Sequence, residues 1–153
     1  MAVGGGGLLC GVVEGLQEIG WNDTTVLAVE TEGADSFATA VSAGHPVTLP
    51  AITSIASTHG ALRVTDQALY WAARHPILPV VVSDAAAVRA CLHYVDDMRV
   101  LVEPACGAAL SLLYSHSERL AGFETVLMVV CGGAGVTLDK LQQQATRLEQ
   151  HRR

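Results

Sequence analysis

The stretch VGGGGLLCGVVEGLQEIGW, residues 3–21, decides the fold. Apolar residues stand at 8, 9, 12, 13, 16 and 19, the stripe of a helix over Leu8–Ile19. Gly20-Trp21-Asn22-Asp23 closes it, with glycine at the usual stop. Directly before the helix stand Gly4, Gly5, Gly6 and Gly7. A glycine run entering a helix lets backbone N–H groups converge on an anion, where the helix end adds about half a positive charge. The competing reading of four glycines here is a flexible tail; the apolar helix behind them favours an anion loop. There is no G-K-[ST] and no G-x-G-x-x-G spacing is needed, so a phosphate-bearing cofactor other than a nucleotide fits better.

Outward from this stretch, short apolar runs alternate with helical patterns. Thr25–Glu30 reads as a buried strand, Leu78–Ser83 as a second and Thr125–Val130 as a third. Val47–Pro50 and Val100–Val102 read as brief extended pieces. Helices are predicted over Ser36–Ala43, Asp66–Arg74, Ala85–Val95 behind a Ser83-Asp84 cap, Pro104 to about Leu120, and Thr137–His151. The tail Gln150-His151-Arg152-Arg153 reads as a frayed helix end. Apolar strands alternating with helices imply α/β architecture with a mainly parallel sheet flanked by helices. The strand that should lead into the glycines is reduced to Ala2-Val3, so the expectation is a single, incomplete, N-terminally truncated domain over residues 1–153.

Composition narrows the function. With 153 residues, 50% of them hydrophobic and 16% charged, the chain can fill one core and is not disordered. Aromatics make up 5%, so that core must be built from Ala, Val, Leu and Ile. A net charge of −6 argues against a general nucleic-acid or anionic-membrane binder. No apolar run is long enough to span a bilayer. Cys10, Cys91, Cys106 and Cys131 form no C-x-x-C pair and read as reduced thiols of a cytoplasmic protein; no leader pattern is visible.

Five segments then follow one another in a familiar order: VGGGGLLCGVVEGLQEIGW, AVETEGADSF, VTLPAITSIAS, LVEPACGAALSLLYS and VVCGG. The chain resembles, from about Ala2 to Leu148, the C-terminal half of the mammalian-type L-serine dehydratase/L-threonine deaminase family. These are fold-type II enzymes, similar to the tryptophan synthase beta subunit, that use pyridoxal phosphate. The resemblance implies that Gly4, Gly5, Gly6 and Gly7 hold the cofactor phosphate and that Cys131 faces the pyridine nitrogen. It also implies a monovalent-cation site, potassium for example, on Glu30, Ala34 and Ser36 with backbone oxygens near His59 and Ala61. A small amino-acid substrate and a homodimer are implied for the full-length family.

The residues themselves agree. Glu30 ends a buried strand, where a carboxylate is costly unless it binds a cation or a donor; a rim carboxylate in water is the alternative. Cys131 precedes Gly132-Gly133 at the end of an expected strand, where α/β sheets place ligands, although a core thiol would read the same way. A neutral thiol at the ring nitrogen makes the cofactor a weaker electron sink, which favours β-elimination over transamination. Glu103 either lies near the ring or caps the helix starting at Pro104. Cys10, Cys91 and Cys106 read as core residues, and His45 and His75 as loop residues without ligand roles. His59 replaces the apolar residue usual in the family, and Ala134-Gly135 stands where the family shows a polar pair ending in asparagine.

The implied reaction converts serine to pyruvate and ammonia, and threonine to 2-oxobutyrate. Lysine is needed twice in it, as Schiff-base partner and as general base. The chain has one lysine, Lys140, in a helix among Gln and Arg where a solvated role is expected. The chain alone is therefore expected to be inactive. It is either part of a serine dehydratase or a non-catalytic remnant that binds a phosphate ligand or pairs with a full-length subunit.

Overall fold

A parallel ladder lies at the centre of the computed structural model, which describes residues 1–150. Strand β1, Val26–Thr31, pairs with β2, Ile77–Val82, in register from Val26 opposite Ile77 to Thr31 opposite Val82. On the other edge of β1, Ala2 forms a parallel bridge to Val29. The Val29 amide donates to the Met1 carbonyl and the Val3 amide to the Val29 carbonyl, both at 2.9 Å. The residual strand before the glycines is thus present, and the parallel α/β class holds.

Among the described residues, six α-helices surround the ladder: α1 Gly7–Glu18, α2 Ser36–Ala43, α3 Asp66–Ala72, α4 Asp84–Met98, α5 Pro104–Tyr114 and α6 Leu138–Gln150. The predicted extension of α6 to His151, and the tail from there on, lie outside the described residues. Helix α5 stops well before Leu120: His116 takes a left-handed φ of 49°, and a short 3-10 turn, Glu118–Leu120, follows. One part of the core joins Val3, Leu9, Val13, Phe37 and Ala68 on the side of α1–α3. Another joins Val88, Cys91, Cys106, Leu110 and Leu141 among α4–α6. Between them, Val29 and Val80 of the sheet meet Ala87, Ala108 and Ala109. Small residues set the spacing, as the scarcity of aromatics suggested. A Cβ on Gly107 would collide with the Ala87 carbonyl and lie 2.5 Å from Cys91 Sγ, so only glycine lets α4 and α5 approach this closely.

One predicted strand fails: Thr125–Val130 forms no ladder. The two brief pieces, Val47–Pro50 and Val100–Val102, lie outside any helix or ladder. For Thr125–Val130 the reason is a missing edge. Val129 packs on the cluster containing Met1 and Val3, but that stub makes only a single bridge and cannot carry a further strand. The segment instead turns Met128 and Val130 toward the α4–α6 cluster and leaves Leu127 88% exposed. Strand β2 is also less buried than its all-apolar sequence suggested: Leu78 and Val81 are exposed, because β2 is the sheet edge. Among the described residues, no helix is long and apolar enough to cross a membrane.

Candidate functional site

The four glycines occupy the turn between the Ala2-Val3 stub and α1. Gly6 is the residue capping α1, with a left-handed φ of 94°. A Cβ there would lie 2.8 Å from Ala68 Cβ and 3.0 Å from both Thr65 Oγ1 and Val64 Cγ2. On Gly4 it would lie 2.8 Å from the His59 carbonyl oxygen. Gly5 accepts the Thr65 amide at 2.9 Å, and Gly6 accepts the first amide bond of the helix, from Cys10, at 2.9 Å. Among the described residues, none of the amides of residues 4–9 donates to a backbone carbonyl, and no side chain caps the helix. A helix start with unpaired amides and a side-chain-free approach suits an anion's oxygens. The loop therefore fits a phosphate group.

Beyond the end of β1 lie the residues assigned to a cation. Glu30 is wholly buried, which excludes the rim alternative. Its two carboxylate oxygens accept the Phe37 amide at 2.9 Å and the Ala38 amide at 2.8 Å, so the side chain closes the start of α2 from the sheet. Burial pushes its carboxyl up to about 7, against the pull of those two amides. Ala34 donates its amide to the Thr31 carbonyl at 2.9 Å, and Ser36 opens α2. These three residues flank the short connection from β1 to α2. His59 and Ala61 belong to a separate loop against the glycines, where the Ala61 amide donates to the His59 carbonyl at 2.9 Å. Among the described residues, no group of three His, Cys, Asp or Glu side chains is arranged for a metal.

A buried polar chain joins the two places. His59 Nε2 shares a hydrogen bond with Thr31 Oγ1 at 2.8 Å, and Thr31 Oγ1 another with Ser54 Oγ at 2.7 Å. Ser54 Oγ donates to Asp84 Oδ1 at 2.6 Å, while Asp84 Oδ2 accepts the Ile55 amide at 3.1 Å. Among the described residues His59 Nδ1 is buried with no partner, and burial lowers the pKa of the ring. The wall of the glycine loop is thereby tied to the first residue of α4. Sequence reasoning saw Asp84 only as part of a cap, a task Ser83 performs by accepting the Ala86 amide at 3.2 Å. It missed Thr31 and Ser54 altogether. Replacing Asp84 by alanine leaves the buried Ser54 hydroxyl and the half-buried Ile55 amide without this acceptor, and a loss of about 1–3 kcal/mol in urea unfolding is expected. Asp84→Asn, keeping one acceptor, should lose less.

Cys131 is exposed, and the other three cysteines are buried and unpaired, as the core reading of Cys10, Cys91 and Cys106 required. Burial pushes the Cys91 thiol up to about 12. Cys131 is not on the same turn as the glycines; the link is Val129, packed on the cluster that contains Val3. Glu103 precedes α5, but its side chain makes no capping hydrogen bond. It faces a small cleft shared with Ser57, Thr58, Gly135 and Lys140. Lys140 is exposed on the first turn of α6. His75 uses both ring nitrogens structurally, at 3.0 Å from Gln17 Nε2 and 2.7 Å from the Thr24 carbonyl. His45 is exposed and its ring nitrogen lies 3.1 Å from the Pro46 carbonyl.

Comparison with known proteins places this geometry. The human L-serine dehydratase/L-threonine deaminase is 49% identical over 150 residues, covering 93% of this chain and 46% of that protein. A rat serine dehydratase-like protein is 47% identical over 156 residues, covering 97% and 47%. The crystal structure of an L-serine ammonia-lyase from the fungus Rhizomucor miehei superposes with a TM-score of 0.91 at 39% identity, over 95% of this chain and 48% of that one. The chain thus spans about half the length of the relatives it matches. Threonine deaminase isoform 2 from Solanum lycopersicum shares the fold with a TM-score of 0.81 at 23% identity. Residues 1–132, from the strand stub through Cys131 and Gly132, match the family described as "Pyridoxal-phosphate dependent enzyme". With residues 1–132 matching that family and the fold shared with fold-type II enzymes, the chain belongs to the pyridoxal-phosphate dependent enzyme family.

Proposed function

We propose that this chain forms the phosphate-binding half of an L-serine ammonia-lyase, which also accepts L-threonine, and that it does not turn over substrate by itself. The unpaired amides of residues 4–9 at the start of α1 carry this reading. Those of Gly4–Gly7 hold the phosphate oxygens, with His59 and Thr65 fixing the loop behind them. When bound, pyridoxal phosphate supplies an electron sink for β-elimination. Cys131 would stand at the ring nitrogen, where a cysteine in place of a carboxylate would keep that sink weak. Glu30, Ala34 and Ser36, with the carbonyls of His59 and Ala61, hold a monovalent cation such as potassium. The products are pyruvate or 2-oxobutyrate with ammonia; the assembly is a homodimer in the cytoplasm, where buried unpaired thiols stay reduced.

Lys140 is not the Schiff-base residue, because it is exposed on a helix surface rather than enclosed beside the glycine loop. That observation favours a second reading, a non-catalytic chain that binds a phosphate ligand or pairs with a full-length subunit. The experiment titrates the purified chain with pyridoxal phosphate, then adds L-serine and assays pyruvate. Saturable binding without pyruvate, and without a borohydride-trapped adduct on Lys140, is expected. Pyruvate, or an adduct on Lys140, would overturn the proposal. An in-frame upstream extension carrying a Ser-x-Lys motif would decide for the enzyme over the second reading.

A further inference from the structure

The geometry points to an oxidative modification site that does not depend on the cofactor: Cys131 and Cys106 form a pair that a hydroperoxide converts to an intramolecular disulfide. Cys106 Sγ lies against the backbone of Gly132, the residue directly after Cys131, donating to the Gly132 carbonyl at 3.1 Å and accepting the Gly132 amide at 3.3 Å. Standard bond lengths then put the Cys131 Cα no more than about 6 Å from that sulfur. Closing the bond needs a shift of about 1–2 Å, given the Cα and Cβ separations of ordinary disulfides. The chain can supply it: Gly132 has a φ of 140°, and residues 125–131 are in no ladder that would hold them.

The two thiols differ in the way a peroxide site requires. Cys131 is exposed and meets oxidant first, while Cys106 is 2% exposed and waits behind it. The Gly132 carbonyl also accepts the Glu103 amide at 3.2 Å, which anchors the residue after Cys131 beside the start of the eleven-residue α5. In the first step the Cys131 thiolate attacks one oxygen of the hydroperoxide. The O–O bond breaks, the other oxygen leaves as an alcohol or water after taking a proton, and Cys131 becomes a sulfenic acid. In the second, the Cys106 sulfur attacks Cys131 Sγ, the S–O bond breaks, and the hydroxyl leaves as water with the Cys106 proton. Two thiols are oxidised by two electrons, and one hydroperoxide is reduced.

The test treats the purified, reduced chain with hydrogen peroxide and analyses a non-reducing proteolytic digest by mass spectrometry. A peptide pair joined through Cys106 and Cys131, lighter by two hydrogens and split by dithiothreitol, is expected as the main product. In Cys106→Ala, checked for folding by thermal melting, Cys131 should instead be trapped by dimedone as sulfenic acid and proceed to sulfinic acid. In Cys131→Ser, Cys106 should remain a free thiol. Sulfinic acid on Cys131 of the wild-type chain with Cys106 still free would overturn the proposal. So would a principal disulfide between Cys131 residues of two molecules, or between Cys106 and Cys91. Absence of pyridoxal phosphate binding would overturn the proposed function and leave this pair standing.

Discussion

Gly6→Val is expected to abolish saturable binding of pyridoxal phosphate and to lower stability by about 2–6 kcal/mol. Two separate costs add. A β-branched residue at a φ of 94° is strained, at about 1–3 kcal/mol. Its Cβ also enters space already filled by Ala68, Thr65 and Val64, and overpacking of that kind costs about 1–3 kcal/mol more. Relief would move the loop away from α3 and scatter the amides of residues 4–9. Gly7→Ala is the control, since a Cβ at Gly7 meets nothing within 4 Å and its position already belongs to α1. Its stability should stay within about 1 kcal/mol of the wild type. Urea unfolding and a fluorescence titration with the cofactor measure both effects. If Gly6→Val binds like the wild type, the glycine loop is not the phosphate site.

The contrast between these glycines shows what a sequence can carry. A run of glycines ahead of an apolar helix encodes a backbone requirement, and such requirements are local, so the loop and α1 were legible. So was α2, whose predicted limits, Ser36–Ala43, are those observed. β1 shifted by one residue at each end, within the ordinary fraying of strand assignments. TVLMVV failed for the opposite reason. Apolar, β-branched residues make a strand only beside a free edge, and the edge is set by residues more than a hundred positions away. Nothing inside the segment records that its neighbour is a two-residue stub.

The polar chain from His59 through Thr31 and Ser54 to Asp84 was illegible on the same grounds. Its members come from the loop before α3, the end of β1, the loop after α2 and the start of α4, so no spacing rule links them. Each alone reads as an ordinary polar residue or a cap. Cys131 is intermediate. Its Gly132-Gly133 context suggested a site, yet only the fold shows that its thiol is exposed while the three others are buried. Glu30 was open to two readings, and complete burial with two amide donors leaves one.

That burial makes Glu30 the second large effect. Glu30→Ala leaves the Phe37 and Ala38 amides unpaired in the interior, at about 1–3 kcal/mol each, so a loss of about 2–5 kcal/mol is expected. Glu30→Gln keeps one acceptor and points an NH2 toward the other amide, so it should fall between. The pH dependence has a definite sign. The carboxyl moves from an ordinary 4.5 up to about 7 on folding, because burial outweighs the amides that favour its charge. Between those values the folded chain binds more protons than the unfolded one. Stability should therefore fall as pH rises through this window and level off above it, by up to about 3 kcal/mol. Urea unfolding in buffer free of alkali cations, at about pH 5 and about pH 8, measures the slope for wild type and Glu30→Gln. The wild type should lose stability toward the higher pH, and the glutamine variant should lose much less. Equal slopes would mean that the titrating group lies elsewhere, and that Glu30 stays ionised because its two amides outweigh its burial.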